Sequence, residues 1–320
     1  MWRWLKVIAA AAGAVATTVF DRLLGRRAHP LWDFQMEVAH RLIRRLAQLI
    51  HADLRLTRQL TAFGSTSPPM VRRVKREDTV IAGIPTEVHT PRNARGPTLL
   101  YFHGGGYAVC TPRTHRDLAA RLAWSTGCRV VVPDYRKAPE APFPAAVDDA
   151  LAVCAALRAA GVQRMWLGGD SAGGGLAACA LLALRDRGLP MADGAILMSP
   201  WVDLTAAGHA DHLDEDLDYI SPTLLSTYAR HYAGGHDPAD PAISPVHADL
   251  SGLPPVLVQL GGSETMRDQG ERFAARAQAA GSPVELDVAD GMVHVYAAFA
   301  IVSRAGRDAI RRVGDFVRSR

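Results

Sequence analysis

A serine hydroxyl becomes a useful nucleophile only when a neighbouring base takes its proton, and this chain carries residues suited to that chemistry. Ser171 lies in Met165-Trp-Leu-Gly-Gly-Asp170-Ser171-Ala172-Gly173-Gly174. An apolar run enters this stretch and a helix-prone run, Leu176 to Leu184, leaves it, so Gly169-x-Ser171-x-Gly173 falls on a sharp strand-to-helix bend. A serine on such a bend projects its hydroxyl above the sheet, and glycines two residues to either side remove side chains that would collide there. The N–H groups opening the following helix point at the same spot and suit an anion. Glycine-rich bends also occur for packing reasons alone, so the motif needs support from the rest of the chain.

That support comes from two further stretches. Tyr101-Phe102-His103-Gly104-Gly105-Gly106-Tyr107 ends an apolar run, and its glycines let backbone N–H groups turn into a cavity. Beside Ser171, those N–H groups and the Ala172 amide would hold the oxyanion of acyl transfer. The base expected is His294, on a loop just after the last strand-like run, at the sheet edge where open α/β folds build sites. Of the twelve histidines, His231 reads as helix packing, while His209, His212, His236 and His247 read as solvated. His103 reads as a structural part of the glycine loop. The acid that orients the base is sought in Leu260-Gly-Gly-Ser-Glu264-Thr-Met-Arg-Asp268. Both Glu264 and Asp268 qualify; Glu264 is nearer the strand end, and Asp268 belongs to the next helix. Ser171, Glu264 and His294 occur in the order of nucleophile, acid and base known from α/β hydrolases.

The elements that must position these residues follow from hydrophobic periodicity. Val80–Ile84 and Glu87–Thr90 suggest an antiparallel opening pair. Thr98–Phe102, Arg129–Val132, Arg164–Leu167, Gly194–Met198, Val256–Leu260 and Val284–Val288 are short apolar runs. They alternate with helical stretches at 145–160, 172–187, 267–280 and 306–319, the pattern of a mostly parallel sheet wrapped by helices. Residues 201–254 break the rhythm and read as an insertion with one helical piece near Pro222–Tyr232. Residues 31–63 read as helix, with Leu31, Phe34, Val38, Leu42, Leu46 and Ile50 on one side and Arg41, Arg44 and Arg45 on the other.

The front end differs from the body. Residues 1–78 carry 14 Lys/Arg against 6 Asp/Glu, and residues 79–320 carry 22 against 26. A basic front on a slightly acidic body does not describe a nucleic-acid binder; it suits an anionic membrane surface or a solvated helix face. Val7 to Phe20 is apolar but short for a membrane span. With Trp2, Trp4 and flanking basic residues, residues 1–30 read as a signal segment, an interfacial anchor or a helix covering the site. Location therefore divides between cytoplasmic and exported or membrane-associated. Cys110, Cys128, Cys154 and Cys179 form neither a Cys-x-x-Cys pair nor a zinc spacing, so no disulfide framework and no metal site are expected.

Taken together, His103-Gly-Gly-Gly-Tyr107, Asp134-Tyr-Arg-Lys-Ala-Pro-Glu140, Gly169-Asp-Ser-Ala-Gly-Gly174, the Glu264 loop and the His294 loop resemble the hormone-sensitive-lipase-like (bacterial family IV) esterases of the α/β-hydrolase superfamily. The resemblance spans roughly residues 75–320 and departs from the family at Glu264, where aspartate is commoner, and at Lys137, where leucine is usual. It implies an α/β-hydrolase fold, a mostly parallel eight-stranded sheet flanked by helices, with a helical cap. The cap would comprise residues 31–70 and an insertion at about 201–254 within a catalytic domain at 71–320. It implies Ser171 as nucleophile, Glu264 as acid, His294 as base, and an oxyanion hole from Gly104, Gly105 and Ala172, with no cofactor. The activity implied is carboxylester hydrolysis of short- to medium-chain acyl esters. Deacetylase, amidase and thioesterase chemistry use the same triad, and a non-catalytic receptor on this fold is a further reading. Dehalogenase and epoxide-hydrolase readings fail, because those relatives carry aspartate at the elbow. The expected partner is a small ester or lipid, with a membrane surface or a second copy of the chain as further expectations.

Overall fold

The computed structural model describes all residues except 1, 51–53, 64–68, 93, 95 and 206–216. His209 and His212 thus lie outside the described residues. Eight strands form one sheet in the order β1-β2-β4-β3-β5-β6-β7-β8. They are β1 (Val74–Ile81), β2 (Ile84–Pro91), β3 (Thr98–Phe102), β4 (Arg129–Pro133), β5 (Met165–Asp170), β6 (Gly194–Met198), β7 (Val256–Gly261) and β8 (Val284–Ala289). The β1–β2 and β2–β4 pairs are antiparallel and all others parallel. Central strands are buried on both faces, which explains their continuous apolar runs. In β3 the side chains alternate between two cores: Leu99 and Tyr101 face α4 (Arg116–Thr126) and α9 (Arg304–Arg318), while Leu100 and Phe102 face α5 (Ala145–Ala159) and α6 (Ala172–Asp186).

Register brings the chemistry together. Phe102 pairs with Gly169, so the glycine loop after β3 emerges beside the bend after β5. Gly261 pairs with Ala289, which sets the Glu264 and His294 loops side by side at the same sheet edge. Two further backbone bonds, Gly262 N–H to Ala289 O at 2.7 Å and Ser263 N–H to Met292 O at 2.8 Å, lock those two loops.

Above this edge lie α1 (Trp2–Leu23), α2 (Phe34–Ile50), α3 (Leu54–Phe63) and α7 (Pro222–Ala233). Ser221 caps α7, its hydroxyl accepting from Leu224 N–H, and Gly234 ends it in a left-handed conformation. α8 (Arg267–Ala279) follows β7.

Three expectations need correcting. The opening strand expected at 80–84 straddles a turn: Ala82 and Gly83 both have positive φ (52° and 80°), the geometry of a two-residue hairpin. Val80, Ile81 and Ile84 flank that turn and mimic one continuous apolar run. Helix α4 is not among the expected helices; half of its buried residues are alanines (Ala119, Ala120 and Ala123), which give little hydropathy contrast. The inward face of α2 is also rotated: Trp32 just before it and Met36, Glu37 and His40 within it are buried, whereas Leu31 and Phe34 are exposed. The cause is polar. Arg22 and Arg41 both bond the buried Glu37 carboxylate, and the Ala28 N–H donates to it at 3.0 Å.

Candidate active site

Ser171 sits at the bend between β5 and α6 with φ 53° and ψ −124°, a conformation unfavourable for a residue with a side chain. The backbone is held there by Ser171 N–H to Met198 O and Trp201 N–H to Ser171 O, both 2.9 Å. The flanking glycines are sterically required. A β-carbon on Gly169 would lie 2.2 Å from Gly173 O, and one on Gly173 would lie 1.9 Å from Phe102 O. Gly104, Gly105, Ser171 and His294 all line one cavity of about 330 Å³. Apart from these residues and a few others its walls are apolar, with Ile43, Leu46 and Ala47 of α2 and Leu224 and Leu225 of α7 forming its roof.

His294 and Glu264 are both buried, with Nδ1 3.3 Å from Oε2. Asp268, the alternative acid, lies in the first turn of α8 and is half-exposed. Burial alone would depress the His294 pKa, but Glu264, helped by Asp218 and Asp170, carries it above the ordinary histidine value. Burial pushes Glu264 upward and His294 pulls it back. The His294 Nε2 makes no hydrogen bond to another described residue and is available to a reacting group.

Two groups unnoticed in the sequence support this loop. Asp218 is buried and accepts from Thr265 N–H at 2.8 Å, Tyr219 N–H at 2.8 Å and His294 N–H at 3.4 Å. Tyr219 donates its hydroxyl to His294 O at 2.9 Å. Both lie in the irregular stretch between β6 and α7, where no periodicity marks them.

Under the glycine loop a second histidine pairs with a second acid. His115 Nε2 is 3.2 Å from Asp170 Oδ2, and Tyr101 donates to Asp170 Oδ1 at 2.7 Å. His115 Nδ1 is 2.8 Å from Thr114 Oγ1, whose own proton goes to Thr111 O at 2.6 Å. Both ring nitrogens therefore face acceptors, the arrangement of an imidazolium. Burial works against that charge, yet Asp170 raises the His115 pKa above its ordinary value. Its only sequence signal was position, eleven residues beyond Gly104. His103 behaves differently: burial lowers its pKa, its Nδ1 lies 2.8 Å from Gly104 O, and its ring stacks on Tyr135. His231 is half-buried on α7 beside Tyr228; His236 and His247 are exposed. All four cysteines are free, and no metal-binding cluster occurs among the described residues.

Comparison with known proteins agrees with this architecture. Residues 99–298 match the model of an α/β-hydrolase-fold family. An acetyl-hydrolase of Streptomyces hygroscopicus is 41% identical over 232 residues, 72% of this chain and 78% of that one. A carboxylesterase of Mycobacterium tuberculosis, NlhH, is 32% identical over 270 residues, 77% of this chain and 83% of that one. The crystal structure of an esterase from the bacterial hormone-sensitive lipase family superposes with a TM-score of 0.75 at 34% identity, covering 98% of this chain and 97% of that one. With its sheet order, its strained serine bend and its glycine loop, the chain belongs to the α/β-hydrolase fold family, and within it to the hormone-sensitive-lipase group of esterases.

Proposed function

We propose that the chain is a serine carboxylester hydrolase acting on short- to medium-chain acyl esters. The observation that carries this reading is the convergence of Ser171, His294 and the glycine loop on one mostly apolar cavity of about 330 Å³, with Glu264 buried behind His294. Ser171 Oγ attacks the ester carbonyl carbon while His294 Nε2 takes the hydroxyl proton. Glu264 holds the imidazole tautomer and stabilises the imidazolium that forms. The negative oxygen is received by the N–H groups of Gly104, Gly105 and Ala172, donors that each typically contribute about 10²–10³ in rate. His294 then protonates the departing alcohol, and a water activated by the same nitrogen releases the acid and restores Ser171.

The cavity's size and aliphatic roof favour acyl chains of a few carbons, and the name of the Streptomyces relative points to the acetyl end of that range. The test is turnover of a p-nitrophenyl ester series from acetyl to palmitoyl by the purified chain. The reading expects a maximum at short chains and loss of turnover in Ser171→Ala. Equal turnover by that variant would refute the acyl-enzyme; turnover of amides or thioesters but no esters would move the assignment to those substrates.

A further inference from the structure

Helix α1 has two unlike faces. Ala10, Ala14 and Thr18 are buried against α2, where small side chains allow close approach. Polar links complete that contact: Arg45 to Thr17 at 2.8 Å, Arg41 to Asp21 at 2.7 Å and Arg22 to Glu37 at 2.9 Å. At 100° per residue, Ile8, Val15, Val19 and Leu23 share the opposite face. They are open to solvent, Ile8 at 61% and Leu23 at 81%, with Phe20 beside them at 61% and Leu24 following. An apolar stripe of this kind on a surface helix marks a contact with something other than water.

Charge identifies the contact. Residues 2–32 contain Arg3, Lys6, Arg22, Arg26 and Arg27 but a single acid, Asp21; Arg41 holds Asp21 and Glu37 holds Arg22, so the surplus rests on Arg3, Lys6, Arg26 and Arg27. Arg26 and Arg27 are exposed just past the end of the stripe. No helix among the described residues is long and apolar enough to cross a membrane. We propose that this face seats α1 in the plane of an anionic bilayer surface, with its apolar stripe among the acyl chains and its arginines at the phosphates. This is the profile of an interfacial helix. A second copy of the chain is a poorer occupant, because a two-fold contact along the stripe sets Arg26 and Arg27 of one copy against the same pair, or against the basic start of α1, in the other.

The seat has a direct relation to the cavity. α2 gives Glu37, Arg41 and Arg45 to α1 and, from its opposite side, Ile43, Leu46 and Ala47 to the cavity roof. The Trp32 indole N–H, between the two helices, donates to Gly291 O at 2.8 Å, three residues before His294. A bilayer under α1 therefore lies one helix layer from the cavity.

The experiment is co-sedimentation of the purified full chain with vesicles of phosphatidylcholine alone and of phosphatidylcholine mixed with phosphatidylglycerol. Binding is expected to the mixed vesicles only and to weaken with added salt. Each basic residue near such a surface is worth about fivefold in partitioning, so Arg26→Gln/Arg27→Gln should bind about 25-fold more weakly. Val19→Asp/Leu23→Asp should not bind. Both variants lie far from Ser171 and should keep turnover of soluble p-nitrophenyl butyrate, which also reports that they fold. No binding to mixed vesicles, or equal binding by the double glutamine variant, would overturn the proposal. So would a dimer in light scattering that the double aspartate variant converts to monomer, since the stripe would then belong to a second copy.

Discussion

Two histidines line the same cavity, each beside a buried carboxylate, and their surroundings give them different chemistry. His294 has Glu264 on one nitrogen and no hydrogen bond to another described residue on the other. His115 has Asp170 on one nitrogen and Thr114 on the other. Both have pKa values raised by their acids against the pull of burial. An acid partner therefore does not make a base. The ring proposed as base keeps a nitrogen for a reacting group, whereas the ring with both nitrogens occupied is held beside a buried acid that favours its protonated form.

The largest effects should fall on the first pair and its nucleophile. Ser171→Ala and His294→Ala should each lower kcat by roughly 10⁴–10⁶-fold with the fold intact by circular dichroism. Glu264→Gln should cost on the order of 10⁴ in kcat, since the imidazole loses its orienting anion. If His115→Ala cost as much turnover as His294→Ala, the distinction between the two pairs would collapse. Its expected signature is stability: leaving buried Asp170 without His115 should cost about 3–5 kcal/mol in urea unfolding, with turnover falling only about tenfold.

Proton linkage separates the pairs further. His294 must be neutral to act, so kcat/KM should rise with pH through a midpoint above the ordinary histidine value of 6.5. Protonated His115 pairs with Asp170. Its folded pKa is raised, so its stabilising contribution is full below the unfolded value and is lost as pH climbs through the folded one. The gap in urea midpoint between wild type and His115→Ala should therefore narrow with rising pH. The smallest effect belongs to Asp218→Asn. It keeps one acceptor oxygen and should cost about 1–3 kcal/mol, lowering kcat several-fold with little change in KM.

The meeting of Ser171, Glu264, His294 and the glycine loop at one sheet edge was legible in the chain because each follows an apolar strand run, and parallel strands deliver their following loops to one edge. β3 and β6 match their expected bounds because both are buried on each face. Elements that violate simple patterns were not legible. β1 is an edge strand, largely exposed and rich in charge, so only its last apolar residues stood out. The inward face of α2 is set by a buried carboxylate rather than by leucines. Asp218 and His115 act through contacts with residues 76 and 55 positions away, which no local period encodes.

The two-sided use of α2 bears on how substrate gets in. A roof that swings aside must break its fastenings together, and this one is tied by Arg22–Glu37 and Arg41–Asp21 on its far side. The stretch leading into α7 is bolted by Asp218 and Tyr219 to the very loops that carry Glu264 and His294. Lifting that part of the roof would break the contacts that hold the His294 and Glu264 loops. A substrate path that leaves these fastenings intact is bounded by the side chains of α2, α3 and α7 that line the cavity.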